Sequence, residues 1–307
     1  MKLIELIEIN KKLYERLKKI DDSKEFFEYL MKPLRPSVRI NTLKCDLKYA
    51  LERLENYIVE KVPWCKEGFY FSTDDFGKIP EHSLGIIFSQ EAASMIPPTL
   101  MDLKPGIKVL DIAAAPGAKA TQIAQYMENS GCLVANDVKF DRVNILISNL
   151  QRCGVLIAVV TMKDGRYFSK LKNCFDSVLV DAPCSNVGMI RKNYKYAKLW
   201  NLKEVYSLSK LQKDLLSAAI QATETGGTIV YSTCTVDPLE NEEVVDFALR
   251  NFEVKIENVE LPVKRTEPIL EFEGKKYEEE VKKCLRIHPQ DNDSEAFFVA
   301  KLKKLEN

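Results

Sequence analysis

From Lys104 onward, short apolar runs and amphipathic stretches take turns along the chain. V-L-D-I behind a Pro-Gly turn, C-L-V-A-N-D, V-L-I-A-V-V, F-D-S-V-L-V-D, G-G-T-I-V-Y-S-T and F-E-V-K-I-E read as strands. Between them, A-K-A-T-Q-I-A-Q-Y-M, R-V-N-I-L-I-S-N-L-Q-R-C, L-S-K-L-Q-K-D-L-L-S-A-A-I-Q-A-T and N-E-E-V-V-D-F-A-L carry apolar residues at helical spacing. Strands alternating with helices predict an α/β fold, with a mostly parallel sheet covered on both faces. The last apolar run, E-A-F-F-V-A-K-L, predicts an added edge strand.

The first third follows another pattern. Leu3, Leu6, Ile7, Leu13, Leu17 and Ile20 predict one helix over residues 1 to about 32, ended by Pro33 and Pro36. V-R-I-N-T and Y-I-V-E-K-V predict strands flanking a helix, D-L-K-Y-A-L-E-R-L, with Asp46 as its cap. S-Q-E-A-A-S-M predicts a further helix stopped by Pro97 and Pro98. The change of rhythm divides the chain into a small α+β unit, residues 1–102, and an α/β unit, residues 103–307.

Composition narrows the class. With 307 residues, 46% hydrophobic and 29% charged, the chain is a globular one. Basic and acidic residues balance at 45 each, so a polyanion would have to be met by local charge. Eight cysteines include no C-x-x-C pair, and His82 and His288 are the only histidines, which argues against zinc. The charged N-terminus does not read as a signal peptide and no uncharged run is long enough to span a bilayer. The expectation is a cytoplasmic monomer with reduced thiols, no metal and no membrane contact.

In an open parallel sheet, ligands bind beyond the carboxyl ends of the strands. After V-L-D comes Ala113, Ala114, Ala115, Pro116, Gly117, Ala118 and Lys119, a loop of small residues that opens a helix. It lacks the three glycines of a dinucleotide loop and the Gly-Lys of a phosphate loop. Asp137 ends the second strand, about twenty residues on, and Asp164 follows the third; each alone reads more readily as a cap or turn residue than as a ligand. Together they suit a nucleoside without a pyrophosphate, such as S-adenosylmethionine. Asp181 and Cys184 follow the fourth strand and Cys234 the fifth, so the two cysteines should meet in space.

V-L-D-I-A-A-A-P-G-A-K, D-A-P-C-S and Y-S-T-C-T together resemble the Sun/nucleolar-protein family of RNA 5-methylcytosine methyltransferases. R-I-N-T-L-K, S-Q-E-A-A-S-M and F-F-V-A-K-L extend the resemblance from about Val38 to Leu302. It implies a Rossmann-like methyltransferase domain preceded by an RNA-recognition extension, and S-adenosylmethionine as cofactor. It implies Cys234 as the nucleophile, Cys184 in product release and Asp181 on the base edge. Ala113 to Lys119, Asp137, Arg142, Asp164 and Asp181 would line the cofactor pocket. Transfer RNA is the first substrate it implies and ribosomal RNA the second. The family often has glycine where this chain has Ala118 and Asn186, so Ala118 requires a backbone without positive φ.

Between Asn186 and Lys213 stand seven basic residues and one acidic, interleaved with Tyr194, Tyr196, Trp200 and Tyr206. Arg191, Lys192, Lys195 and Lys198 are the expected phosphate contacts, with aromatic rings to stack on unpaired bases. Residues 1–66 carry 15 basic against 11 acidic residues. Two rivals remain open: a methyltransferase of the same fold acting on a protein or small molecule, and an RNA-binding assembly factor without turnover.

Overall fold

The computed structural model describes residue 6 and residues 8–306. Leu3 and Ile7, part of the expected first helix, lie outside them. Among the described residues that helix is broken: Leu6, Glu8 and Ile9 are helical, Asn10 is not, and helices Lys11–Ile20 and Lys24–Leu30 follow. Asn10 caps the first by accepting from the Leu13 N–H (3.1 Å), and Ser23 caps the second by accepting from Phe26 (3.2 Å). Two capped starts outweigh the continuous apolar periodicity.

Next comes an antiparallel sheet of β1 (Ser37–Ile40), β2 (Ile58–Lys61), β3 (Gly68–Phe71) and β4 (Ile87–Ser89), in the order β2-β3-β1-β4. Helix Leu47–Leu54 packs Ala50 and Leu54 onto Val38, Ile40, Phe69 and Phe71. Asp46 stands at its N-cap but makes no capping bond. β3 escaped the sequence reading because all four of its residues are buried, which erases the alternation of a half-buried strand. The expected helix at S-Q-E-A-A-S-M is instead the end of β4 and a single 3₁₀ turn, Ala93–Met95. The Glu91 carboxylate takes the N–H groups of Ala93 (2.6 Å) and Ser94 (3.3 Å), a local bond that competes with helix. Pro97 and Pro98 do not stop a helix; they lie within the short helix Ile96–Thr99, at whose start a missing N–H costs nothing.

The large sheet comprises β5 (Lys108–Asp111), β6 (Cys132–Asn136), β7 (Ala158–Thr161), β8 (Phe175–Asp181), β9 (Thr223–Thr233) and β10 (Val254–Glu257). A small hairpin, β11 (Glu271–Phe272) and β12 (Lys275–Lys276), then leads to β13 (Leu285–Ile287) and β14 (Phe297–Lys304). The order is β10-β14-β9-β8-β5-β6-β7, with β13 on β14; β9 to β7 run parallel and β14 is antiparallel to its neighbours. β14 is therefore not the expected edge strand. Phe297 enters one core and Phe298 the other, and a run apolar on both faces belongs inside a sheet.

Alternation assigns the two faces. Val109, Leu133, Leu179 and Val230 pack toward helices Ala118–Tyr126 and Phe140–Arg152. Leu110, Val178, Val180, Ile229 and Tyr231 pack toward helices Leu202–Ala222 and Glu242–Asn251. The two N-terminal helices form a third core. Leu13, Leu17, Phe26 and Leu30 meet Val187, Ile190 and Val236, in the segments that follow the two candidate cysteines. The Arg16 guanidinium grips both oxygens of buried Asp237 at 2.8 Å and also reaches Glu273.

Candidate active site

The order reverses beside β5: β6 and β7 lie on one side, β8 and β9 on the other. The loops after these strands converge on a cavity of about 800 Å³. Cys184 and Cys234, on the loops after adjacent β8 and β9, bring their Sγ atoms to 3.2 Å. Asn186 adopts a left-handed backbone (φ +57°), a conformation asparagine tolerates better than most side chains. There its amide donates to the Cys184 carbonyl (2.7 Å) while its oxygen accepts from Cys234 Sγ (3.3 Å). Gly188 donates its N–H to the Cys234 carbonyl (2.9 Å), and a Cβ there would stand 2.5 Å from the Ala296 carbonyl, so only glycine fits. The Cys234 thiol is raised well above its ordinary pKa of 9.0, first by the hydrogen bond with Cys184 and then by burial.

Asp181, the last residue of β8, accepts from Lys119 Nζ (2.8 Å) and Ser232 Oγ (2.8 Å). Burial disfavours the Lys119 ammonium, but the Asp181 charge and hydrogen bond outweigh it and hold its pKa above the usual value. Ser94 Oγ completes the ammonium's partners at 2.9 Å. Behind them, burial and then the Asp181 charge push the Asp111 carboxyl up to about 8.

The other half of the cavity is lined by Ala113, Ala115, Pro116, Asp137, Arg142 and Asp164. Ala114, Gly117 and Ala118 shape the loop without lining the cavity. The left-handed residue is Gly117 (φ +110°), while Ala118 begins helix Ala118–Tyr126 and needs no glycine. Arg142 joins the walls, with Nε 3.2 Å from Asp137 and Nη2 donating to the Ala115 carbonyl. Asp137 is buried, whereas Asp164 is half exposed and paired with Arg166 (2.6 Å), and also caps a 3₁₀ turn.

Of the expected RNA contacts, Lys192, Lys195 and Lys198 are exposed around a second hollow of about 650 Å³, and none carries an ion pair among the described residues. Arg191 corrects the expectation: its guanidinium is buried and spends its donors on the carbonyls of Lys32, Pro33 and Ser294 and on Asp293. Trp200, 6% exposed, is a core residue of the N-terminal helices and has no free face for a base. Tyr196 lines the cavity itself.

The sequence reading missed Glu91, Ser94, Glu240 and Glu295. Two motifs contained three of them, S-Q-E-A-A-S-M and E-A-F-F-V-A-K-L, but nothing local tied them to the cysteines. Glu240 accepts from Ser185 N and Gln212 Nε2, both at 2.9 Å, and so ties the Cys184 loop to helix Leu202–Ala222. Burial pushes its carboxyl up to about 7, against the pull of those two bonds. Among the described residues no group of three His, Cys, Asp or Glu is arranged to hold a metal, and no helix is long and apolar enough to cross a membrane.

Residues 98–303 match the family model described as 16S rRNA methyltransferase RsmB/F, and residues 8–92 that of the N-terminal domain of 16S rRNA methyltransferase RsmF. The chain is 60% identical over 304 residues to a tRNA (cytosine(49)-C(5))-methyltransferase of Pyrococcus abyssi, covering 98% of each. It is 40% identical to ribosomal RNA small subunit methyltransferase F of Vibrio vulnificus, spanning 60% of that relative's length and 92% of its own. A solved methyltransferase homolog protein from Pyrococcus horikoshii superposes with a TM-score of 0.86 at 33% identity, covering 99% of this chain and 98% of that one.

Proposed function

The chain belongs to the 16S rRNA methyltransferase RsmB/F family, and on that premise we propose that it methylates C5 of a cytosine in tRNA, with S-adenosylmethionine as the methyl donor. The observation that carries this reading is the pair of thiols at 3.2 Å, on adjacent strand ends, in one cavity with the Lys119–Asp181 pair.

C5 of cytosine is too poor a nucleophile to be methylated unaided. Cys234 loses its thiol proton and adds to C6: the Sγ–C6 bond forms, the C5=C6 π pair shifts toward C4=N3, N3 takes up a proton by way of solvent, and C5 becomes the carbon of an enamine. Asp181 meets the base edge near N3, fixed there by Lys119 and Ser232. The cofactor, when bound, supplies an activated methyl group. Its half of the cavity fits such a group, with small Ala113 and Ala115 along the wall and Asp137 and Asp164 offering carboxylates to ribose hydroxyls and adenine. Loss of the C5 proton and elimination of Cys234 then restore the enzyme, with Cys184 taking part in release.

The exposed Lys192, Lys195 and Lys198 meet RNA phosphates beside the cavity mouth. An unpaired or junction cytosine is the cheaper target, because a base inside a helix must first be extruded. Similarity over nearly the whole length of the Pyrococcus abyssi relative favours tRNA; the Vibrio vulnificus relative extends well past this chain. The setting is the cytoplasm and the enzyme acts as a monomer.

The test is transfer of labelled methyl to unmodified tRNA transcripts and 16S rRNA fragments, with the product nucleoside identified by mass spectrometry. 5-Methylcytidine in tRNA is expected, and abolished by Cys234→Ala. Label only in rRNA would move the substrate, and label in neither with the cofactor bound would refute the reading.

A further inference from the structure

Glu295 lies in the turn before β14, 3% exposed, yet it lines the cavity that holds Cys234, Asp181 and Lys119. The chemistry above gives it no task. Among the described residues no N–H or O–H of backbone, Lys, Arg, Ser or amide donates to its carboxyl, and Oε2 is shut away from solvent without a partner. The group that meets it directly is another acid. Glu91 Oε1 accepts from the Glu295 backbone N–H (3.1 Å), and the two carboxyls hydrogen-bond side chain to side chain.

A bond between two carboxyls requires a proton on one of them. Burial first, and then the Glu91 charge, hold the Glu295 acid well above the ordinary carboxylate range, against the pull of Lys119. Burial likewise raises Glu91, against the N–H groups of Ala93 and Ser94. Whichever acid holds the shared proton, that proton is committed between the two. The Glu295 oxygen not engaged with Glu91 is then an acceptor alone, in the wall of a cavity with nothing to accept from. The protein offers that oxygen no donor among the described residues, so a ligand that brings an N–H can supply the missing partner.

Resting on the cytosine methyltransferase reading, we propose that Glu295 is a specificity-determining residue that accepts a hydrogen bond from the exocyclic N4 amino group of the target cytosine. Two bases could undergo thiol addition at C6 in such a cavity. Cytosine carries an N4–H₂ donor at C4; uracil carries an O4 acceptor there. The amino group has two hydrogens, and Asp181, whose oxygens already accept from Lys119 and Ser232, can meet one of them. Glu295 takes the other. Uracil O4 would set an acceptor against those two acceptors, and its exclusion follows from that mismatch.

The experiment compares one tRNA carrying 5-fluorocytosine or 5-fluorouracil at its target position, in the presence of S-adenosylmethionine. After Cys234 adds and C5 is methylated, fluorine leaves no C5 proton to lose, so the adduct persists and its rate of formation is read on a denaturing gel. The wild type is expected to trap fluorocytosine and to spare fluorouracil. Glu295→Gln, whose amide can turn a donor toward O4, should lower the cytosine-to-uracil ratio about ten- to hundredfold. Glu295→Asp, one methylene short, should lower it too while keeping the acid pair. Binding of S-adenosylhomocysteine, measured by calorimetry, verifies that each variant is folded. A ratio unchanged in both variants would overturn the proposal, as would equal loss of both adducts, which a merely structural glutamate would produce. No fluorocytosine adduct in the wild type would instead refute the methyltransferase reading beneath it.

Discussion

The Sγ atoms of Cys184 and Cys234, fifty positions apart in the chain, lie 3.2 Å from each other. That contact is the first cause of the raised Cys234 pKa, ahead of burial. It favours the neutral thiol, and its loss must favour the thiolate. In Cys184→Ala, alkylation of Cys234 by iodoacetamide should therefore accelerate at fixed pH, and its pH profile should move to lower pH. A profile that stays where it is would show that burial alone sets the thiol's acidity.

Glu240 gives stability a pH signature. Its carboxyl titrates near 7 in the fold against 4.5 unperturbed, so its contribution is full below pH 4.5 and is lost as pH rises through 7. In Glu240→Gln the amide oxygen can keep the bonds from Ser185 and Gln212, and nothing titrates. Relative to this variant, the wild type should lose about 3 kcal/mol between pH 4.5 and pH 8. Urea titrations at several pH values would measure the difference, and a constant gap across that range would contradict the assignment.

The clasp of Arg16 on Asp237 fastens the N-terminal helices to the segment after Cys234, with both side chains buried. Removing one partner strands a buried charge, so Arg16→Met should cost about 3–5 kcal/mol in chemical denaturation. Lys24→Ala breaks an exposed pair four residues apart and should cost at most about 0.5 kcal/mol. Similar losses in the two variants would mean that the clasp is solvated.

The basic segment separates into two kinds of residue. Replacing Lys192, Lys195 or Lys198 by alanine should weaken tRNA binding, with the slope of log K against log salt falling by about 1 for each lysine. Stability should barely change. Arg191→Ala should do the opposite, lowering the melting temperature while leaving the salt slope intact, because that guanidinium binds the protein's own carbonyls. Filter binding across a salt series and a melting curve separate the two.

Much of this was legible in the chain. Short apolar runs marked β5, β6, β8 and β9, because a sheet covered on both faces needs apolar residues at successive positions such as Val109 and Leu110, which serve opposite cores. Strand-end position marked Asp137, Asp181, Cys184 and Cys234, because ligand sites in such sheets lie just past the strands. Local signals failed wherever the deciding partner was remote. β3 and β14 are buried on both faces and lose their period, so only the sheet order placed β14 between β9 and β10. Arg191 and Lys192 are alike as neighbours in sequence, but the segments at Pro33 and Ser294 close over one and not the other. Glu91 and Glu295 meet across 204 positions. Residue type and spacing set which chemistry was available; which acids, thiols and cations face one another was decided by chain closure, since burial and hydrogen-bond partners come from segments distant in sequence.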